Sequence, residues 1–464
     1  MLAAVVAAVA WTCALPPIQG PDEDSHFAYV QKIAEAHTIP WDPSGAPADP
    51  GVPHSRELSY ALAYGHVIPA WSNPRARPGR TPADVAIWKA YNATLPSGAA
   101  ADGGFTGAMK NPPLYYLYAT LPYEATSGLG IFDRVFAIRL ANIPALLAVV
   151  IFTWLLAGEL FGRRRWLQAL ATIAVALQPQ LVHMTAVVNP DVFLAGIWAA
   201  ALYVVVVLVK RGPTPGRIAC TAALATASCL TQPRGVAILI PAAAAIGLAF
   251  WRHRRPARRW VRRTLVAGAA LVALAGLAVF LNYALLGQVT GRNLRQFASY
   301  LWQFYLPKLG FMDPSSSHSY GVRQVFVERL FGGFATLEAN FPRGVYTALK
   351  LIGAVVLASA LVGVVRRRAD VRRRFDVVAV ALLAVAGSMV VLHVVAFRTL
   401  LQSPDPVITG RYLLPLLPLY GVTLALAVAW LPRRWGPVVA GALVGGVVVL
   451  QIGAMGVLFA RFYA

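Results

Sequence analysis

The chain has 464 residues, 58% of them hydrophobic and only 13% charged, with a formal net charge of +22. That composition excludes an ordinary soluble protein, and apolar runs of roughly 18 or more residues recur, the signature of membrane-spanning helices. Nor does the basic excess point to nucleic acid: 21 of the 41 Lys and Arg fall in five short loops, at Arg163–Arg165, Lys210–Arg217, Arg252–Arg263, Arg366–Arg374 and Arg433–Arg434.

About eleven spans are predicted from the apolar runs: 1–15, 135–161, 166–187, 191–209, 217–231, 235–251, 264–286, 345–365, 376–397, 411–431 and 436–459. The five basic loops are every second loop of this set. The positive-inside rule then puts the N-terminus in the cytoplasm and the C-terminus outside, in a plasma (inner) membrane. The expected class is an all-α polytopic membrane protein, one transmembrane domain over residues 1–464. Met1–Leu15 lacks the charged start and cleavage motif of a signal peptide. At about 22 Å by helical rise it is short of the ~30 Å hydrocarbon layer, and it reads as a first span cut short at its start.

Directly after it comes Pro16-Pro17-Ile18-Gln19-Gly20-Pro21-Asp22-Glu23-Asp24-Ser25-His26-Phe27. Pro21 suits the first position of a helix. Asp22 and Glu23 would then fall in the first turn, where the helix dipole favours negative charge. Asp22, Ser25 and His26 would share a face. The first long external loop spans 16–134. Its middle, Pro40–Gly107, is rich in Pro, Gly and Ala and reads either as a mobile lid or as an irregular surface loop. Lys110-Asn111-Pro112-Pro113-Leu114-Tyr115-Tyr116 closes it, just before the second span.

Further along, Glu159 is expected to snorkel at a cytoplasmic helix end. Asn189-Pro190-Asp191 forms a short external turn, and Thr231-Gln232-Pro233-Arg234-Gly235 another. The second long external loop, 287–344, carries Phe297, Tyr300, Trp302, Phe304 and Tyr305. That clustering suits either a helix in the headgroup layer or packing against neighbouring spans. Gly410-Arg411-Tyr412-Leu413-Leu414-Pro415 opens the tenth span. Cys13, Cys220 and Cys229 lie in spans, where core packing is the expected role and a disulfide framework is not. No P-loop, dinucleotide fingerprint or zinc spacing is present, and no chain of intramembrane acids of the kind a proton-driven transporter needs.

Residue type alone leaves two readings for each motif. Acids at a helix start are often caps, Asn-Pro-Asp is a common turn, and an arginine at a span end often reaches for headgroups. Their order along the chain adds a third reading. Pro-Asp-Glu-x-x-His-Phe after a first span, a large first external loop, Pro-Pro-Leu-Tyr-Tyr, and an Asp in the next external turn resemble the GT-C glycosyltransferases. Protein O-mannosyltransferases and lipid A aminoarabinose transferases are familiar members. With Gly-Arg-Tyr-Leu-Leu-Pro added, the pattern is similar to an uncharacterised family of bacterial multi-pass proteins.

The resemblance implies a GT-C bundle with an external active site that takes a sugar from a polyprenyl-phosphate donor. It places Asp22 at the catalytic base, Glu23 in support, and Asp191 as a second acid. The acceptor would be a cell-envelope glycan, a glycolipid or an exported protein. A lipid phosphate is already a good leaving group, so the reaction needs a base and cations but no general acid. Lys110 and Arg411, with Arg234, are the candidate phosphate ligands, and His26, Asn111 and Tyr412 complete the expected substrate-binding set. No cofactor is expected and no metal is required, and direct displacement implies inversion. Asp24, on another helix face, is expected to tolerate replacement. The competing readings are a flippase or transporter of lipid-linked sugars, and a non-catalytic subunit of an envelope-synthesis complex.

Overall fold

The computed structural model describes residues 1–43, 51–78, 81–162, 164–253, 291–312, 321–402 and 408–464. The molecule is all-α: among the described residues the only β contact is an isolated bridge between Phe334 and Ala339. Seven described helices are long and apolar enough to cross a membrane: Ile131–Phe161, Asp191–Arg211, Pro233–Arg252, Arg343–Arg366, Phe375–Phe397, Gly410–Ala429 and Gly436–Phe462. Each coincides with a predicted span, and the chain is a multi-pass membrane protein.

The other predicted spans fare differently. The first is the short apolar helix α1, Leu2–Ala14. The span predicted at 166–187 is two helices, Arg165–Ala176 and Pro179–Thr185, because Pro179 begins a new helix at the break. The one at 217–231 is a 15-residue helix, Pro215–Cys229. The span predicted at 264–286 lies outside the described residues.

Burial separates the spans. In Asp191–Arg211, 78% of the apolar window is enclosed, against 11% in Arg343–Arg366. The first is the centre post of the bundle, and the second faces lipid for most of its length. Cys13 and Cys220 are exposed on helix surfaces, so neither packs the core as expected. Glu159 does not reach for solvent either: Lys210 Nζ donates to its carboxylate at 2.7 Å and Arg211 pairs with it as well.

The described residues of the first long loop carry helices. They form a helical layer of α2 (Glu23–Ala36), α3 (Arg56–Tyr64), α4 (Val67–Ser72), α5 (Pro82–Asn92) and α6 (Leu114–Ala125). The layer has its own core, built on Phe27, Tyr29, Val30, Leu58, Leu62, Tyr115, Tyr116 and Ile131. Ser55 caps α3 through Leu58 N–H, and Thr81 and Asp84 form a capping box on α5, so local signals start these helices. In the second loop, the helix Gly291–Tyr305 packs part of its aromatic face against neighbouring helices. Tyr300 and Phe304 are buried, while Trp302 and Tyr305 keep exposed surface. Tyr300 and Tyr305 hydroxyls hold the two ring nitrogens of His393 at 3.1 and 2.7 Å.

One ion pair anchors the layer to the bundle. Glu23 is fully buried and faces Arg139, in the stretch α7 (Ile131–Ala141). Arg139 Nε donates to Glu23 Oε1 at 2.8 Å and Nη2 to Oε2 at 2.6 Å. Val188 N–H completes Oε1 and Gly20 N–H completes Oε2. A carboxylate offers about four acceptor positions, and here all are filled. Arg139 also donates to the carbonyls of Leu15 and Pro16 at the end of α1. The pair thus joins α1, α2, α7 and the turn before Asp191. Gly20 is required there, since a Cβ would collide with the Val187 side chain. Asn142, at the break after α7, reinforces the joint by donating to the carbonyls of Thr185 and Val187.

Removing one partner of a buried, fully bonded pair leaves the other charge stranded, at a cost of about 3–5 kcal/mol. Glu23→Ala and Arg139→Ala should each lower stability by that order, read as the unfolding midpoint in detergent. Midpoints equal to that of the parent protein would show that the pair does not hold the layer in place.

Candidate functional site

The joint fixes where Asp22 stands. Helix α2 begins at Glu23, so Asp22 lies outside it, contrary to the predicted start at Pro21. Asp22 is the residue before the helix, in the left-handed region at φ 57° and ψ 18°, and its side chain caps nothing. Such a conformation is uncommon for a residue other than glycine and persists only where the surroundings impose it. Freed from capping, the carboxylate turns to the Arg411 guanidinium and pairs with it. Ser25 and His26 remain on α2, and His26 N–H donates to the Asp22 carbonyl at 3.1 Å.

Four further segments converge on this pair. Asp191 is the first residue of α11 (Asp191–Arg211, following α8 Ile143–Phe161, α9 Arg165–Ala176 and α10 Pro179–Thr185). Asn189 Oδ1 accepts from Asp191 N–H at 2.9 Å and shapes the turn. Asp191 Oδ1 accepts from Gln232 Nε2 at 2.9 Å and from Arg234 Nη2 at 3.2 Å. Arg411 Nε lies 3.7 Å from Asp191 Oδ2, too far for a hydrogen bond. The Arg234 guanidinium carbon stands 3.3 Å from the centre of the Tyr412 ring, stacked on its face. Gly410 makes this approach possible, because a Cβ there would strike the backbone at Val325 and Leu330. Leu114 N–H bonds to the Leu230 carbonyl at 3.0 Å, so the start of α6 rests on the corner that carries Gln232 and Arg234.

Three polar atoms at the centre are buried without a hydrogen-bond partner among the described residues: Arg411 Nε, Arg411 Nη1 and Asp191 Oδ2. Buried polar groups are almost always paired, so each calls for an explanation. Two N–H groups of a cation and one carboxylate oxygen, side by side, are complementary to a ligand with anionic oxygens and a hydroxyl. Arg411 is 5% exposed while the Asp22 side chain remains 62% accessible. The carboxylate therefore stands open to solvent, with the arginine buried behind it.

Burial raises the Asp22 carboxyl, but the charges of Arg411, His26 and Arg234 outweigh it and hold the group below the usual carboxylate range. His26 is moved the other way: burial pushes its imidazole down to about 4, so at neutral pH it is uncharged. Its proton can be placed. Tyr116 OH lies 2.7 Å from His26 Nδ1 and accepts from Asn111 Nδ2 at 3.1 Å. A buried phenol hydrogen needs an acceptor, and Nδ1 is the acceptor within reach. The imidazole hydrogen then sits on Nε2.

The expected residues therefore divide. Asp22, Asp191, Arg234, Arg411 and Tyr412 come together, with His26 beside them and Asn111 behind it through Tyr116. Glu23 does not join them. Its acceptor positions are spent on Arg139 and backbone, so its place is in positioning the site and not in the catalytic group where the resemblance put it. Lys110 is exposed and, among the described residues, forms no ion pair. Asp24 faces away, 3.1 Å from His54 Nε2. No cluster of three metal-ligating side chains occurs among the described residues. The sequence reading missed Arg139, Tyr116 and Gln232. Arg139 carried a signal, since a charge within an apolar stretch next to a span requires a partner. Gln232 and Tyr116 carried none beyond their place in motifs already noted.

The sequence matches the family of predicted membrane proteins DUF2142 over residues 5–420. The chain belongs to this family. No curated protein matches it. Two solved structures resemble this DUF2142 protein in overall course. ArnT from Cupriavidus metallidurans bound to undecaprenyl phosphate is 15% identical over 96% of this chain and 62% of its own, with a TM-score of 0.44. The Archaeoglobus fulgidus oligosaccharyltransferase is 11% identical over 99% and 55%, with the same score. Both are GT-C glycosyltransferases. The DUF2142 chain thus spans less than two thirds of either, and at these levels no residue or substrate carries over from them.

The hydrogen placement on His26 is measurable. In protein labelled with ¹⁵N-histidine, at neutral pH, His26 should give the Nε2–H tautomer, assigned by its loss in His26→Gln. Tyr116→Phe should shift it toward a mixture of tautomers. An unchanged His26 signal in Tyr116→Phe would remove the phenol from this role.

Proposed function

We propose that this DUF2142 protein is a glycosyltransferase of the external membrane face. It moves a sugar from a polyprenyl-phosphate carrier to a hydroxyl on a cell-envelope glycan, glycolipid or exported protein. One observation carries the reading: an exposed, ionised carboxylate paired with a buried guanidinium, two of whose nitrogens have no hydrogen-bond partner among the described residues. The orientation rests on the alternation of basic loops along the sequence.

The phosphate oxygens of the donor lie against Arg411 Nε and Nη1, and the guanidinium fork suits their geometry. Arg234, stacked on Tyr412 and braced by Gln232, adds positive charge while Asp191 holds both arginines in register. The acceptor oxygen attacks the anomeric carbon as the bond from that carbon to the phosphate oxygen breaks. The electron pair leaves with the phosphate, whose growing charge the arginines stabilise. The acceptor proton passes to Asp22. A carboxylate held at a low pKa accepts that proton late, once the attacking oxygen has become acidic by bonding to carbon. His26 Nε2–H, neutral and fixed in direction by Tyr116, donates to an oxygen of either substrate without adding charge. Attack from the face opposite the phosphate inverts the anomeric centre. The polyprenyl chain lies among the spans.

Asp22→Asn keeps the shape and removes the base, and should lower transfer from a radiolabelled polyprenyl-phosphate sugar to envelope extract by about 10²–10⁴-fold. Asp24→Asn, which removes a partly buried pair with His54, should leave transfer within roughly two-fold. Equal transfer by Asp22→Asn and the parent would sink Asp22 as the base. Movement of donor across vesicles without transfer would make the protein a flippase.

The pH profile follows from the same groups. Asp22 loses its charge only below the usual carboxylate range, and His26 gains one only below about 4. Transfer should therefore be flat between about pH 5 and 8, fall as His26 becomes charged through about pH 4, and fall further below that as Asp22 takes up its proton. An acid limb centred between pH 6 and 7 would contradict the neutral role given to His26.

A further inference from the structure

A second concave site lies in the helical layer, away from Asp22. It is an open cleft of about 530 Å³, bounded by Lys32 on α2, by Trp41 and Asp42 after it, and by Asp102, Phe105 and Met109 on the approach to Lys110. Its volume is within the range of small-ligand sites. Trp41 keeps 43% of its surface exposed, so an indole face with a polar edge is accessible to a ligand in the cleft.

The walls are tied in place. Lys32 Nζ donates to the Ala101 carbonyl at 2.9 Å and retains further N–H groups. Asp102 is anchored by Arg56, whose backbone N–H it accepts at 2.9 Å, while 30% of its side chain stays accessible. Asp42 N–H bonds to the Met109 carbonyl at 3.1 Å. Thr106 Oγ1 donates to the Ser25 carbonyl at 3.1 Å and ties this segment to the first turn of α2.

The lining offers an indole and a phenyl face, acceptors on two carboxylates and donors on one lysine. Apolar ring faces match the C–H faces of a pyranose, and mixed donors and acceptors match its hydroxyls. With Arg56 paired to Asp102, two cations and two carboxylates stand around the cleft, a balance that favours a neutral ligand. The cleft also connects to the transfer point. Lys32 stands ten residues from Asp22, about 15 Å along α2, and Met109 runs directly into Lys110 and Asn111.

We propose that this cleft binds a neutral oligosaccharide, and that it holds sugar units of the acceptor remote from the hydroxyl being glycosylated. The second part rests on the transfer reading; the first does not. Recognition of several units away from the reacting hydroxyl would make the enzyme select polymer over monosaccharide, with the exposed Trp41 ring as the main contact.

The test uses full-length protein in detergent and saturation-transfer NMR. The probes are neutral hexasaccharides of α-glucan, β-glucan, mannan and chitin type, with glucose as the short control. At least one hexasaccharide should receive saturation from the parent and equally from Asp22→Asn, while glucose receives none. Trp41→Ala should reduce the effect at least ten-fold, and Lys32→Ala should weaken it independently should Trp41→Ala not fold. Absence of transfer to every hexasaccharide would overturn the site. So would an undiminished signal in Trp41→Ala and Lys32→Ala, or a signal lost in Asp22→Asn alone, which would put the sugar at Asp22. Failure of Asp22→Asn to lose glycosyl transfer would refute the catalytic reading and leave this binding result standing.

Discussion

Everything at the site depends on the Glu23–Arg139 pair. The chain leaves α1 at Leu15, turns sharply and must present Asp22 to residues nearly four hundred positions away. Arg139 holds the carbonyls of Leu15 and Pro16 with two of its nitrogens and both oxygens of Glu23 with Nε and Nη2. With Val188 N–H on the same carboxylate, the turn carrying Asp22 and the turn carrying Asp191 are fixed to one another. A buried ion pair is not a strong source of net stability. Its value here is directional, because a fully bonded carboxylate and guanidinium accept one geometry.

On that joint stands an arrangement of alternating charge: Asp22, Arg411, Asp191, Arg234. Each acid faces an arginine, so the cluster is neutral overall and can be buried near the end of the bundle. It is also incomplete. The distance of 3.7 Å between Arg411 Nε and Asp191 Oδ2 leaves both without a hydrogen bond. A site built to hold only itself together would close that gap. A site that takes an anionic group with a neighbouring hydroxyl has reason to keep it open. His26 fits the same logic, since burial keeps it neutral and Tyr116 aims its hydrogen without disturbing the charge balance.

Much of this was legible in the residues. The acidic stretch after α1, the Asn-Pro-Asp turn, the Gln-Pro-Arg-Gly corner and the Gly-Arg-Tyr-Leu-Leu-Pro start all stood out as polar motifs at span ends, and they meet. Other parts were not legible. Glu23 and Asp22 are adjacent acids in one motif, and nothing in residue type says which would be spent on Arg139 and which left facing Arg411. The helix was expected two residues early, because Pro21 is a good first residue. The observed start at Glu23 is set by the Gly20 turn, whose closeness to Val187 is a tertiary fact. Pro40–Gly107 looked irregular because its helices are short and its turns rich in Pro and Gly, yet α3 and α5 carry clear caps.

By itself the sequence determined the membrane class, because hydropathy over a span-length window measures the same transfer free energy the bilayer imposes. It determined most span positions for the same reason. It also marked which polar residues were costly enough at span ends to need a purpose. Only the tertiary structure decided their partners: Asp22 with Arg411, Glu23 with Arg139, Asp191 with Gln232 and Arg234, and Lys110 with none of them. Pairing depends on distances between segments far apart in the chain, and hydropathy and local propensity contain no term for those distances.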